Sequence, residues 1–391
     1  MSSDPSSFFT DPPRIGLQYV QAKRRDRIWP WIRPGSPLFW ILLIALTVGG
    51  TWLYLRLQIK FDARAFEVHA KNNLVSNPTL KNVVSFSQQA DQPSLRHVAR
   101  FKGNTEISFN GLYGPDPEMF RRIKLPLVSE INITYGKRLE SWLGEIASTN
   151  TPFPNVQTIR WMRCEVSIAT MEQLTRTNNG LVNLQNLTID GVPITDADLK
   201  MFTRPTTGLK NLKQIWMANT NATAGGLIHF ASKETGLTSL ESLTLHGSSV
   251  TDDVIKAFAA PGSGLSKLKT LDIASSAVTD ESLIALAKPD TGLRNLQSLS
   301  IRYSGITSKS VLQITGANSG LKSLKTLSLG STPLTDEALM ELVKPDNGLP
   351  MLEDIEFDWV KTSNYASMRA LQLRTPLLLR NSPSTGTPAK K

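Results

Sequence analysis

From Gly180 onward the chain repeats its apolar and polar positions at a fixed step of 28 residues. Gly208, Gly236, Gly264, Gly292, Gly320 and Gly348 follow at that interval, each with a leucine behind it, from Leu181 to Leu349. Self-similarity of this length signals a solenoid of stacked units. Two units show the common phase, "GLSKLKTLDIASSAVTDESLIALAKPDT" (264–291) and "GLKSLKTLSLGSTPLTDEALMELVKPDN" (320–347). A relaxed unit at 152–179 keeps it with Val156, Ile159, Trp161 and Val166, and 124–151 reads as a more degenerate one.

Each unit predicts the same order of elements. In "LKTLDI" Leu271 and Ile273 alternate with polar residues, which puts both on one face of a short strand. Ile194, Val250, Val278, Ile306 and Leu334 then bury a residue at a turn. Thr195, Thr223, Thr251, Thr279, Thr307 and Thr335 follow, with Ser167 and Ser363 extending the column. A hydroxyl at the start of a helical pattern predicts an N-cap. Asp196, Asp252, Asp280 and Asp336 come next, at the positive end of the helix dipole. Leu283 with Leu286, and Leu339 with Leu342, give the spacing of a helix burying one stripe, and Pro205, Pro261, Pro289 and Pro345 end it.

Strand, turn, capped helix and return together resemble the leucine-rich-repeat family, in the 28-residue class typified by ribonuclease inhibitor. The pattern L-x-x-L-x-L-x-x-(N/C)-x-L stands here as Leu268, Leu271, Ile273, Ser276 and Val278. The resemblance covers 152 to about 375, with a weaker extension from about 96, and the "VTDESL" phrasing is similar to leucine-rich proteins of bacterial genomes. It implies an α/β solenoid, a horseshoe with parallel strands on the concave face, helices on the convex face and partners inside the curve. The ladder position, Asn or Cys in the family, is here mostly Ser, Thr or Val, which would weaken a hydrogen-bonded spine. The only cysteine, Cys164, falls in that column and the resemblance turns its sulfur inward. A lone cysteine also excludes an intramolecular disulfide and a cysteine zinc cluster.

The groove-facing positions are those that alternate with the buried strand residues, such as 186, 188 and 190 and their equivalents. Most hold Ser or Thr, a neutral background. The exceptions are Arg160, Met162, Trp216, His246, Arg302 and the terminal set Asp354, Glu356 and Asp358. Exposed Trp and Arg are the residue types that anchor interfaces. The three carboxylates suit a cation or a basic segment, although a hard-cation site needs six or more oxygen ligands, and a solvated end repeat is the simpler reading. His246 lacks the nucleophile and orienting partner that general-base catalysis requires. With G-x-S-x-G, H-E-x-x-H and P-loop signatures also missing, the expectation is a non-enzyme without cofactor or metal.

Ahead of the repeats, residues 37–55, "PLFWILLIALTVGGTWLYL", carry no charge and are long enough to cross a hydrocarbon core. Trp29, Trp31, Trp40, Trp52 and Tyr54 flank the segment as interfacial aromatics do. A cleavable signal peptide would need a short basic start and a small-residue cleavage site, so 37–55 reads as an uncleaved anchor. The compact "KRRDR" run before it favours a cytosolic N-terminus.

Charge follows this division. Residues 1–56 hold seven Lys/Arg and three Asp, and 361–391 hold six Lys/Arg and no acid, so the net charge of +10 sits at the ends and the body from 57 to 360 is neutral. No basic stripe for nucleic acid is expected there. The sequence therefore predicts a cytosolic tail (1–36), a transmembrane helix (37–55), a juxtamembrane segment and cap (56–123), a repeat domain (124–375) with a C-terminal cap at 364–373, and a disordered tail (376–391). The expected function is a single-pass membrane protein that binds a protein or envelope ligand outside the cytoplasm through its concave face. The alternative is a transmembrane sensor that relays ligand binding to a cytosolic partner.

Overall fold

The computed structural model describes residues 82–86, 104–110, 124–135, 144, 146–330, 334–344 and 346–356. All of them belong to the second of the chain's two units, Ala63–Lys391. The apolar segment 37–55, the tails and the cap expected at 364–373 lie outside the described residues, as does Asp358. Among the described residues no helix is long and apolar enough to cross a membrane.

Each unit places its strand where the alternation predicts it. The strands are β1 (Asn82–Phe86), β2 (Thr105–Asn110), β3 (Val128–Thr134), β4 (Thr158–Met162), β5 (Asn186–Asp190), β6 (Gln214–Ala218), β7 (Ser242–Thr251), β8 (Thr270–Asp272), β9 (Ser276–Ala277), β10 (Ser298–Ser300), β11 (Thr326–Ser328) and β12 (Asp354–Glu356). They lie side by side in chain order, every pair parallel, with β9 off this path beside β7. From β3 onward partners on the main path stand one repeat apart, as in Arg160 with Thr188 and Trp216 with Thr244, so every sequence column is also a spatial row. β1 and β2 prolong the same sheet into the stretch read as juxtamembrane segment and cap.

The helices are α1 (Ile168–Thr175), α2 (Asp196–Thr203), α3 (Ala224–Leu227, continued by a 3₁₀ turn over Ile228–Ala231), α4 (Asp252–Ala259), α5 (Asp280–Leu286), α6 (Ser308–Ile314) and α7 (Asp336–Leu342). Their buried stripes, such as Leu283 and Leu286, join the strand leucines in one continuous core of two layers. Each such buried side chain contributes roughly 1.5–3 kcal/mol. A one-residue slip in any strand would turn its Leu/Ile set outward, which fixes the register.

Close approach between turns explains the glycine column. The amide N–H of Gly264 donates to Ala231 O at 3.1 Å, and a Cβ on Gly264 would be driven into the carbonyl oxygen of Ser232. Gly208, Gly236, Gly292 and Gly320 meet the preceding turn in the same way. Just before the glycine, Thr207, Thr235, Ser263, Thr291 and Ser319 are buried, and each hydroxyl accepts from the N–H two residues on.

The Thr–Asp pair does more than cap its own helix. Asp252 at the start of α4 accepts from Thr279 N–H (2.8 Å), Thr279 Oγ1 (2.7 Å) and Ser282 Oγ (2.5 Å) of the next unit. Asp280 at the start of α5 repeats the clamp with Thr307 N–H (2.7 Å), Thr307 Oγ1 (2.6 Å) and Ser310 Oγ (2.5 Å). Asp196 holds Thr223 N–H and Oγ1 in the same manner. Burial pushes the Asp252 and Asp280 carboxyls up, but the Ser and Thr donors outweigh it and hold both below the ordinary carboxylate value; Asp196 is lowered chiefly by Thr223. Ser308 stands in for the aspartate and still accepts from Thr335 N–H at 2.6 Å, but an apolar residue at that position leaves no acceptor. Ala224 occupies that position in α3, and Thr251, which would be its partner, makes no side-chain cap bond. Thr195 follows Ile168 and instead closes a capping box with its own Asp198.

A further column appears after the strands. Tyr135, Arg163, Gly191, Asn219, Ser275 and Tyr303, spaced by the repeat, all adopt left-handed backbone with φ between 52° and 62°. For a side chain other than glycine this costs roughly 1–2 kcal/mol. The seventh member, Gly247, departs to φ 129°, beside the register shift between β7 and β9.

Candidate functional site

The sheet carries helices on one side, and its other side presents the alternate strand residues, an open face of three rows. One runs through Thr158, Asn186 and Gln214 to Asp354, a second through Arg160, Thr188, Trp216, Thr244 and Asp272 to Glu356, and a third through Met162, Asp190, Ala218 and His246. Arg302 follows β10 in continuation of the third row, its carbonyl accepting from Ser275 N–H at 2.8 Å.

The predicted residues gather in three places rather than one. Arg160, whose side chain is 40% exposed, is ion-paired to Glu130 on β3 and donates to Asn132 Oδ1 at 3.2 Å. Asn132 in turn donates to Glu106 Oε1 at 2.5 Å. At this end of the face the cation is already neutralised by its neighbours.

At the middle, the Trp216 and His246 rings meet edge to face, centroids 5.8 Å apart and planes at 74°. His246 Nε2 stands 3.4 Å from Asp272 Oδ1, within ion-pair range but off hydrogen-bond geometry. Asp272 also accepts from Ala274 N–H at 3.1 Å. Burial raises the Asp272 carboxyl, yet His246 and the Ala274 amide outweigh it and hold it below the ordinary range. A hollow of about 290 Å³ borders His246, lined also by Met217, Asn219, Leu245, Gly247 and Val250. It lies between the units of β6 and β7, the junction at which Ala224 breaks the clamp.

At the far end, Asp354 and Glu356 sit on β12. Burial and then the charge of Glu356 raise the Asp354 carboxyl, so the two carboxylates oppose one another. Asp272 was not among the residues expected at the site. Its column position was readable, but only the neighbouring register brings it diagonally against His246. The Arg163 guanidinium, stacked 5.5 Å from the Tyr135 ring and bonded to its hydroxyl at 2.5 Å, is another rim feature that depends on neighbouring turns.

Cys164 is not part of the site. It is 2% exposed, and its Sγ stands 3.4 Å from the carbonyl oxygens of Ile133 and Met162. In the same column Ser304 Oγ donates to Ile301 O at 2.7 Å, whereas Val192 is buried with nothing to donate.

The family described as Leucine Rich repeat matches residues 264–287, the stretch that runs from the inter-turn glycine through β8 to α5. That unit is a leucine-rich repeat. No curated protein matches the chain. Among solved structures, a Bacteroides fragilis protein shares 15% identity over 70% of this chain and 71% of its own, with a TM-score of 0.39. An internalin, InlF of Listeria monocytogenes, shares 16% over 74% and 84%, TM-score 0.41. TLR13 in its complex with ssRNA13 shares 15% over 72% of this chain but only 36% of its own, TM-score 0.43. At these values the fold rests on the leucine-rich repeat and its register, not on the likenesses.

Proposed function

We propose that this protein is a membrane-anchored, non-enzymatic binding scaffold whose leucine-rich repeats hold a protein or cell-envelope ligand against the open face of the sheet. One observation carries this reading. The face opposite the helices presents partly exposed Arg, Trp, His and carboxylate side chains on strands whose backbone bonds are already satisfied by their neighbours. Such a surface recognises through side chains set on a rigid frame, and Trp and Arg are the types that dominate interface energies. The anchor is the apolar segment 37–55, and the basic run before it supports a cytosolic tail with the repeats outside the cytoplasm of a bacterial cell. Tethering then raises the effective concentration of the scaffold near partners in the same envelope. The carboxylates along the face favour a protein partner over nucleic acid, whose phosphates they repel.

The test is capture of partners from native membranes. Trp216→Ala, and separately charge reversal at Asp354, Glu356 and Asp358, should each reduce capture while leaving the circular dichroism spectrum unchanged. Unchanged capture in both variants rejects the open face as the binding surface. Protease accessibility of the repeats in intact cells and in opened ones tests the location, and cleavage in the opened cells alone, with the outer barrier permeabilised in both samples, rejects it.

A further inference from the structure

The open face carries more acid than base. Glu106, Glu130, Asp190, Asp272, Asp354 and Glu356 stand on it against Arg160 and Arg302, in a body whose net charge is zero. Three of the six have a resident donor or cation, and Asp354 and Glu356 oppose one another at the end of the sheet. Glu130 holds Arg160, Glu106 accepts from Asn132, and Asp190 Oδ1 accepts from Asn219 Nδ2 at 2.8 Å. Asp272 is different. It is more than half withdrawn from water, it is held in its charged form, and its side-chain neighbours are an imidazole nitrogen 3.4 Å away in poor hydrogen-bond geometry and the neutral Ser300 hydroxyl, neither of them a fixed cation.

A half-buried carboxylate with a long, misaligned contact gains from a better donor, because the desolvation that strengthens a charge-assisted bond has already been met in folding. Beside it stands Trp216, partly exposed on the same face two strands away and linked to it through His246. Indole is the aromatic surface that attracts a cation most strongly, at roughly 0.5–1 kcal/mol when exposed and more when desolvated. An aromatic ring and a carboxylate flanking one position select a positively charged guest and reject a neutral isostere.

We propose that Trp216, His246 and Asp272 form a receptor for a single lysine or arginine side chain of the partner protein. The guest cation lies over the Trp216 ring and bonds to Asp272, replacing the His246 contact. The hollow beside His246 and Gly247 gives the displaced imidazole room to turn, since apart from the adjoining residues no atom lies within 4 Å of where a Cβ on Gly247 would stand. The surrounding Thr188, Thr244, Thr270 and Ser300 are small and neutral, so an extended segment can reach the site along the first two rows from Thr188 to Ser300 without meeting a competing charge. Arg302, one strand beyond Asp272, sets the boundary on that side.

This receptor rests on the open face being the binding surface, but its test does not need the natural partner. The probes are acetyl-Ser-Thr-Lys-Thr-Ser-amide, its Arg counterpart and its Gln counterpart, titrated at fixed ionic strength into the purified full chain labelled with ¹³C at histidine Cε1. The chain has four histidines, and His246→Gln assigns the signal. Saturable movement of the His246 resonance is expected with the Lys and Arg peptides and at least fivefold weaker apparent affinity with Gln. Asp272→Asn, which keeps an acceptor for the Ala274 amide, should weaken the Lys peptide at least fivefold, and Trp216→Leu should weaken it as well. No saturable shift with the Lys and Arg peptides, or an equal response in Asp272→Asn, overturns the proposal. Either failure leaves the scaffold reading standing if partner capture still depends on the open face, so the two can be told apart.

Discussion

Replacing Asp280 by alanine removes three acceptor contacts at once, those from Thr307 N–H at 2.7 Å, Thr307 Oγ1 at 2.6 Å and Ser310 Oγ at 2.5 Å. Hydrogen bonds to a charged group are worth about 1.5–3 kcal/mol each, but contacts sharing one carboxylate do not add. The Thr307 groups lie at the surface and regain water, whereas Ser310 is buried and keeps only its contact with Thr307 O at 3.2 Å. The helix-dipole contribution, about 0.3–1 kcal/mol, is lost too. Together these set the destabilisation at about 2–4 kcal/mol, concentrated at the junction between the units of α5 and α6. Because a solenoid sums repeat and interface energies, the loss should appear as weaker hydrogen-exchange protection in 298–316 with little change before 264.

The pH dependence supplies a second check. The folded Asp280 carboxyl titrates below its ordinary value of 3.8, so its stabilisation is fully present above that pH and is lost as pH falls through the lowered folded value. The gap between wild type and Asp280→Ala should therefore be constant near neutrality and shrink in the acid range below about pH 4. A uniform loss of protection across all repeats, or a gap that persists unchanged in acid, would refute the clamp.

Other outcomes follow from the same geometry. Ala224→Asp supplies the missing partner for Thr251 and should stabilise the β6–β7 junction by about 0.5–1.5 kcal/mol, measured by urea unfolding; no gain would show that α3 cannot present the carboxylate. Gly264→Ala forces a Cβ into the Ser232 carbonyl and should cost about 1–3 kcal/mol or more, against a small effect for Ala at exposed Lys256. Cys164, the single thiol, should react with Ellman's reagent only as fast as its region opens, and prompt labelling of the native chain would contradict its place in the core.

Much of this fold could be read from the chain because a repeated unit states its pattern several times. Leu271 and Ile273 announce a strand, Thr279 a cap and Leu283 with Leu286 a buried stripe, and each recurs 28 residues later in the same role. Features that join two units were harder to see. Asp252 looks like an ordinary first-turn acid, and its bonds to Thr279 emerge only when adjacent turns are superposed. The left-handed column is signalled by Gly191 and Asn219 but hidden by Arg163 and the two tyrosines, which have no preference for that conformation. At the candidate site, Trp216 and His246 stood out against the hydroxyl background as individual residues. Asp272 did not, because its part depends on a diagonal contact between strands that composition cannot reveal.

The central claim is that the open face, not the helical side, holds the partner. Photo-crosslinking side chains placed singly at Thr188 and Thr244, on either side of Trp216, and at Lys256 and Lys309 on the helical side compare the two surfaces in intact cells. The account predicts a common adduct from 188 and 244 that Trp216→Ala diminishes, and none from 256 or 309. Adducts confined to the helical positions would contradict it.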